Sequence, residues 1–117
     1  MHHTVLLVED NATIREILEI SLSNAGFAVV EADTARQAME KLEQLKALDL
    51  VVADFNLPDG HSLVPEVKKL RPQLPVLVLS GDPFTARAAL PQADAVLGKP
   101  LSGANIVKEV RRLLSVA

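Results

Sequence analysis

The sequence predicts an α/β fold, a single five-stranded parallel sheet in the order 2-1-3-4-5 with helices on both faces. Three observations carry this reading. Five short apolar runs, at positions 4–8, 27–31, 50–53, 76–79 and 95–97, alternate with five segments of helical period. The central runs are continuously apolar instead of alternating, as strands buried on both faces are. Each parallel crossover needs a helix and crosses right-handedly, so strict alternation of strand and helix gives a doubly wound sheet.

Thr4 to Val8 is the first buried strand, and it ends abruptly in Glu9-Asp10-Asn11. Asn11 is an N-cap for a helix whose Ile14, Ile17, Leu18, Leu22 and Ala25 share one face at three- and four-residue steps, and Gly26 ends it. Phe27 to Glu31 is the second strand. Asp33 or Thr34 caps the second helix, which turns Ala35, Ala38, Met39, Leu42 and Leu45 inward. Leu50 to Ala53 is the central strand, running into Asp54 and stopped by Pro58-Asp59-Gly60. Ser62 caps a third helix with Leu63, Val64, Val67 and Leu70 on its face; Pro65 falls in the first turn, where it is tolerated. Val76 to Leu79 is the fourth strand, ending in Ser80-Gly81. Asp82-Pro83 reads as an N-cap followed by proline at the first helical position, and Pro91 must stop that helix early. Ala95 to Leu97 is the fifth strand, and Ser102 starts a last helix with Ile106, Val107, Val110, Leu113 and Leu114 toward the core.

A chain of 117 residues supports one domain, residues 1–117, with one core. Hydrophobic residues make up 49%, and the three aromatics are all Phe, which describes an aliphatic interior. A net charge of −3 offers no electrostatic footprint for nucleic acid, so no direct nucleic-acid binding by this domain is expected. With no cysteine there is no disulfide, thiolate metal site or thiol catalysis. No run reaches the roughly 18 apolar residues of a membrane span, and the start lacks a signal-like apolar segment; a cytoplasmic protein is expected, away from the membrane.

The chemistry gathers at one end of the sheet. Polar residues follow four of the five strands: Glu9 and Asp10, Asp54, Ser80 and Lys99. In the order 2-1-3-4-5 the tips of the first and third strands meet at the topological switch point, so Glu9, Asp10 and Asp54 share a pocket. Two unit charges about 4 Å apart interact by roughly 4 kcal/mol at an effective dielectric near 20, so a cation should relieve the crowding. An all-oxygen donor set suits a hard ion, Mg²⁺ with Mn²⁺ as a substitute, and the backbone carbonyl of Asn56 can complete the set. A carboxylate such as Asp54 can act as a nucleophile toward phosphorus. Transfer then needs charge neutralisation, which Lys99 and the Ser80 hydroxyl can share with the metal.

The runs Val5-Leu6-Leu7-Val8-Glu9-Asp10-Asn11, Asp54-Phe55-Asn56-Leu57-Pro58-Asp59-Gly60, Leu79-Ser80-Gly81 and Gly98-Lys99-Pro100 together resemble the receiver domain of two-component response regulators, in particular the single-domain chemotaxis type, over residues 4 to 115. The resemblance implies that Asp54 accepts a phosphoryl group from a histidine of a sensor kinase or phosphotransfer protein, with Glu9, Asp10 and the Asn56 carbonyl on Mg²⁺. It implies that Ser80 and Lys99 read the phosphoryl group. It further implies that phosphorylation shifts the surface of the fourth helix and fifth strand toward a downstream effector, or toward a homodimer. The chain departs from the family in two places. Val96 stands where the family usually has Tyr or Phe, three residues before the lysine. Ser80 and Lys99 are 19 positions apart, a short interval that reduces or reshapes the usual output face.

Three rival readings differ in class. A receiver-like module that never takes phosphate and binds partners constitutively fits Val96 and the short fourth helix. A Mg²⁺-dependent phosphatase with an aspartyl nucleophile needs an acid/base Asp two residues on, where Asn56 stands. A flavodoxin-type electron carrier shares the flavodoxin-like doubly wound topology, but the chain lacks a phosphate loop after the first strand and any Trp or Tyr to stack on a flavin. Asp59 and Gly60 read as turn residues, His61 as a solvated loop histidine, and His2 and His3 as adjacent residues that point opposite ways on an extended segment.

Overall fold

Thr4–Val8 (β1), Leu50–Asp54 (β3) and Val76–Ser80 (β4) are almost wholly buried, and their continuous runs of Val, Leu and Ala take central places because both faces of each strand are covered. In this computed structural model, which describes residues 3–59 and 63–116, Ala28–Ala32 (β2) and Ala95–Gly98 (β5) are the two edges. The sheet is parallel in the order β2-β1-β3-β4-β5, as the alternation requires. Its register pairs Val8 with both Ala32 and Ala53, and Asp54 with Leu79, so the strand tips are level.

The two-residue alternation of the strands divides the core. Val5, Leu7, Leu50, Val52, Leu77 and Leu79 face one way, toward Ala12–Asn24 (α1) and Gly103–Leu114 (α5), whose Leu18, Leu22, Ile106 and Val110 complete that layer. Leu6, Val8, Val51, Ala53, Val76 and Val78 face the other way. They meet Ala35, Ala38 and Leu42 of Ala35–Gln44 (α2), and Leu63, Val64 and Val67 of Leu63–Leu70 (α3). Pro83–Ala89 (α4) adds Ala86 to that second layer.

Each helix with a described start is capped by its own sequence. Asn11, Thr34, Asp82 and Ser102 accept from the backbone N–H three residues on, at 3.0–3.2 Å. Such a cap contributes about 1 kcal/mol. Pro83 sits at the first position of α4, and Pro91 follows two residues after its last. Gly26, at φ 97°, supplies the left-handed residue after α1.

Three sequence expectations need correction. The second strand runs one residue later than Phe27–Glu31, because β1 sets its end through the Val8–Ala32 pair, while Phe27 is buried in the layer under α1 and α5. Ile17 is 53% exposed and Leu70 55%. Helical period assigns a residue to a face, but not how far the covering surface extends. Ile17 lies at the margin of the α1 core stripe, and Leu70 is the last residue of α3. The Ser62 cap, the Gly60 turn position, His61 and His2 lie outside the described residues.

Candidate functional site

The C-terminal tips of β1 and β3 are adjacent because these strands pair, and their acids converge as expected. One carboxylate oxygen from each of Glu9, Asp10 and Asp54 lies within 4.8 Å of the others. Glu9 and Asp54 are buried and Asp10 is exposed, so the cluster opens to solvent on the Asp10 side. An all-carboxylate donor set with an open side suits a hard divalent cation that keeps some of its water.

Glu9 is the most enclosed of the three, with 1% of its surface accessible. Its Oε2 accepts from the Asn11 N–H at 3.2 Å, and its backbone is fixed on both sides. The Glu9 N–H donates to the Ala32 carbonyl at 3.0 Å, and Arg15 Nη1 donates to the Glu9 carbonyl at 2.8 Å. Burial pushes the Glu9 carboxyl above its ordinary pKa, against the Asn11 hydrogen bond; Asp10 and Asp54 push it the same way. Arg15 also pairs with Glu31 at 3.3 Å, so one guanidinium joins α1, the tip of β1 and the edge strand. Sequence reasoning did not single out Arg15.

Lys99 arrives from the end of β5. Its Nζ is 3.1 Å from Asp54 Oδ1 and 3.3 Å from Glu9 Oε1. Burial lowers the affinity of this ammonium for its proton, yet the hydrogen bond to Asp54 and the two negative charges outweigh that and hold its pKa above the ordinary lysine value. Lys99 is therefore a fixed positive charge. Its backbone is held by donation from its N–H to the Ser80 carbonyl at 2.8 Å, and the following Lys99–Pro100 peptide is cis. A side chain at Gly98 would meet Pro83 Cγ at 2.9 Å, so the end of β5 and the start of α4 touch beside the site.

Asp54 Oδ1 also accepts from the Asn56 N–H at 3.2 Å, which ties the start of the following turn to the strand tip. Among the described residues both polar contacts of Asp54 fall on Oδ1. Ser80 ends β4, one residue past the partner of Asp54, and is 1% exposed. Its hydroxyl oxygen accepts from the Asp82 N–H at 3.0 Å, which leaves the hydroxyl hydrogen to donate elsewhere. Asp82 in turn caps α4, accepting from both the N–H and the hydroxyl of Thr85, and these bonds hold its carboxyl below the usual range.

Asp59 has a part that a turn residue does not require. Its two carboxylate oxygens accept from the N–H groups of Ala35 at 2.8 Å and Arg36 at 3.2 Å, and chiefly the first of these bonds lowers its pKa. The partners are 24 and 23 residues away, and no local pattern announces them.

Two hollows flank the acids. Asp54 and Asn56 form the polar end of a cavity of about 370 Å³ whose other walls include Leu57, Val64, Val78 and Leu90. On the opposite side, Ile14, Ile17, Leu18, Pro100 and Leu101, with Lys99, line an apolar groove of about 430 Å³.

The comparisons agree with this architecture. Over 97% of its length the chain superposes on the chemotaxis response regulator CheY4 of Vibrio cholerae, with a TM-score of 0.87, 27% identity and all of that chain covered. The receiver domain of NtrX from Brucella abortus matches with a TM-score of 0.88 and 30% identity over 97% of this chain and 99% of that one. In sequence the chain is 32% identical to the DNA-binding transcriptional regulator NtrC of a Bradyrhizobium strain and 35% identical to the sensor kinase CckA of Brucella abortus. These alignments cover 96% and 95% of this chain, which spans only 24% and 12% of those relatives. The model of the response regulator receiver domain matches residues 5–111, and the chain belongs to that family.

Proposed function

We propose that this domain is a phosphoacceptor, with Asp54 taking a phosphoryl group from a phosphohistidine of a sensor kinase or phosphotransfer protein. The observation that carries the reading is the charge gathered at Asp54: carboxylate oxygens of Glu9 and Asp10 within 4.8 Å, and the Lys99 ammonium at 3.1 Å from Asp54 and 3.3 Å from Glu9. An oxygen of Asp54 bonds to phosphorus as the P–N bond to the donor imidazole breaks, and the bonding pair returns to the ring nitrogen. Glu9, Asp10, Asp54 and the Asn56 carbonyl would hold Mg²⁺, which supplies charge neutralisation for the transferring group. Lys99 would balance a second phosphoryl oxygen, and the free hydroxyl hydrogen of Ser80 would serve a third.

The apolar groove of Ile14, Ile17 and Leu101 has Lys99 in its lining, which supports docking of a donor helix there, beside the acids that Lys99 contacts. The name of one relative is that of a sensor kinase and that of another a transcriptional regulator, which supports a place between a kinase and an effector protein or domain. Domains of this family are signalling modules and not classical enzymes. No helix among the described residues is long and apolar enough to cross a membrane, in keeping with a cytoplasmic relay.

Incubation with acetyl phosphate and Mg²⁺, read by intact mass, tests the proposal. Addition of one phosphoryl group to the wild type and none to Asp54→Ala is expected. No addition to the wild type would favour a constitutive binding module, the reading suited by Val96, which is 6% exposed and has no aromatic ring to turn.

A further inference from the structure

We infer that Asp59 is a positioning residue of the acid pocket, setting the affinity for a divalent cation by tying the β3–α3 loop to the first turn of α2. The inference rests on the pocket's proposed use as a metal site.

The pocket is built from two segments that are not adjacent in the chain. Glu9 and Asp10 follow β1, whereas Asp54 and Asn56 lie at the tip of β3. Among the described residues the segment after Asp54 is fixed at four points: the Phe55 N–H on the Leu79 carbonyl, the Asn56 N–H on Asp54, the buried side chain of Leu57, and the Asp59 carboxylate on α2. The last of these reaches the other half of the pocket. Ala35, which donates to Asp59, lies three residues after Ala32, whose carbonyl accepts from the Glu9 N–H at 3.0 Å. Asp59 thus closes a loop of contacts running from Asn56 through α2 and the end of β2 to Glu9. Releasing it leaves Asn56 held only through β3, β4 and Leu57, and removes the hydrogen-bonded tie that sets its backbone against the Glu9 side of the pocket.

A simple capping role is the competing account. Thr34 already accepts from the Gln37 N–H as the N-cap of α2, and Asp59 covers the two N–H groups before it. Thr34→Ala therefore removes a cap from the same helix without touching the β3–α3 loop. Asp59→Asn removes the charge but keeps an oxygen able to accept from Ala35. Asp59→Ala removes both.

Mg²⁺ titrations followed by the backbone amide resonances of residues 9, 10 and 54–56 separate these accounts without any phosphorylation step. We expect Thr34→Ala to bind Mg²⁺ as the wild type does, Asp59→Asn to bind more weakly, and Asp59→Ala to bind weakest, about tenfold below wild type. Equal affinities for Asp59→Ala and Asp59→Asn would reduce the effect to charge and overturn the inference. A loss in Thr34→Ala matching that in Asp59→Ala would overturn it too, as a matter of helix capping alone. If Asp59→Ala does not fold, Asp59→Ser, with one shorter acceptor, takes its place in the same comparison. Wild-type amides unmoved by Mg²⁺ would instead overturn the metal-site reading itself, and the inference with it.

Discussion

Lys99 and Asp54, 45 residues apart in sequence, form an ion pair of 3.1 Å at the C-terminal edge of the sheet, and the same ammonium reaches Glu9 at 3.3 Å. Two neighbouring strand tips bring acids together, and the tip of β5 brings the cation that tempers them. Without that cation Glu9, almost fully enclosed, would face Asp54 and Asp10 uncompensated.

Lys99→Ala should therefore destabilise the metal-free protein, by about 1–3 kcal/mol after allowing for the partial exposure of the ammonium and for proton uptake by Glu9. Added Mg²⁺ should restore more of the melting temperature in this variant than in the wild type. Thermal melts with and without Mg²⁺ check both statements. An unchanged metal-free melt would mean that Lys99 is not holding the acids together.

Asp10→Asn removes one of three crowded charges. Because Asp10 faces solvent, the relief is small, about 1 kcal/mol or less, in the direction of a higher melting temperature in EDTA. The same variant should lose most of the stabilisation that Mg²⁺ gives the wild type. A melt that neither the substitution nor the metal moves would count against a shared pocket.

The acid limb of stability should carry the mark of Asp82. Hydrogen bonds from Thr85 hold its pKa in the folded protein below the ordinary 3.8, so the charged form is favoured by folding. Its contribution is present above the unfolded value and is lost as pH falls through the lower folded value. The difference in melting temperature between wild type and Asp82→Asn should be constant near neutrality and shrink below about pH 4. Melts across that range that stay parallel would show that the cap is indifferent to charge.

Ile17→Glu places a charge in the groove whose lining includes Lys99. Phosphorylation by acetyl phosphate should stay within about twofold of wild type, since the acids are untouched, while transfer from a phosphohistidine domain should fall by tenfold or more. Rates measured side by side with the two donors check this: a loss confined to phosphohistidine transfer identifies the groove's part. Equal losses with both would place the fault in the pocket itself.

The strands, four of the helix caps and the convergence of Glu9, Asp10 and Asp54 were legible because each depends on local pattern or on topology. Asn11, Thr34, Asp82 and Ser102 bind donors three residues on, a spacing the sequence displays directly. Contacts across long separations were not legible. Asp59 on α2 and the grip of Arg15 on β1 and β2 have no periodic signature. Nor have two clasps on the far side of the fold. Lys68 joins Asp94 and the Leu74 carbonyl at 2.6 and 2.7 Å, and Arg71 donates to the Leu42 and Leu45 carbonyls at the end of α2. Ile17 shows the opposite limit, since a helical stripe names a face without naming its edge.

The most direct measurement is the site of phosphoryl attachment. After acetyl phosphate treatment in Mg²⁺, borohydride reduction converts an acyl phosphate to a stable homoserine residue that peptide sequencing by mass spectrometry can locate. Homoserine at position 54, and none when EDTA replaces Mg²⁺, is the predicted result. Labelling at another acid, or at Asp54 regardless of divalent cation, would contradict a phosphoacceptor served by the Glu9, Asp10 and Asp54 cluster.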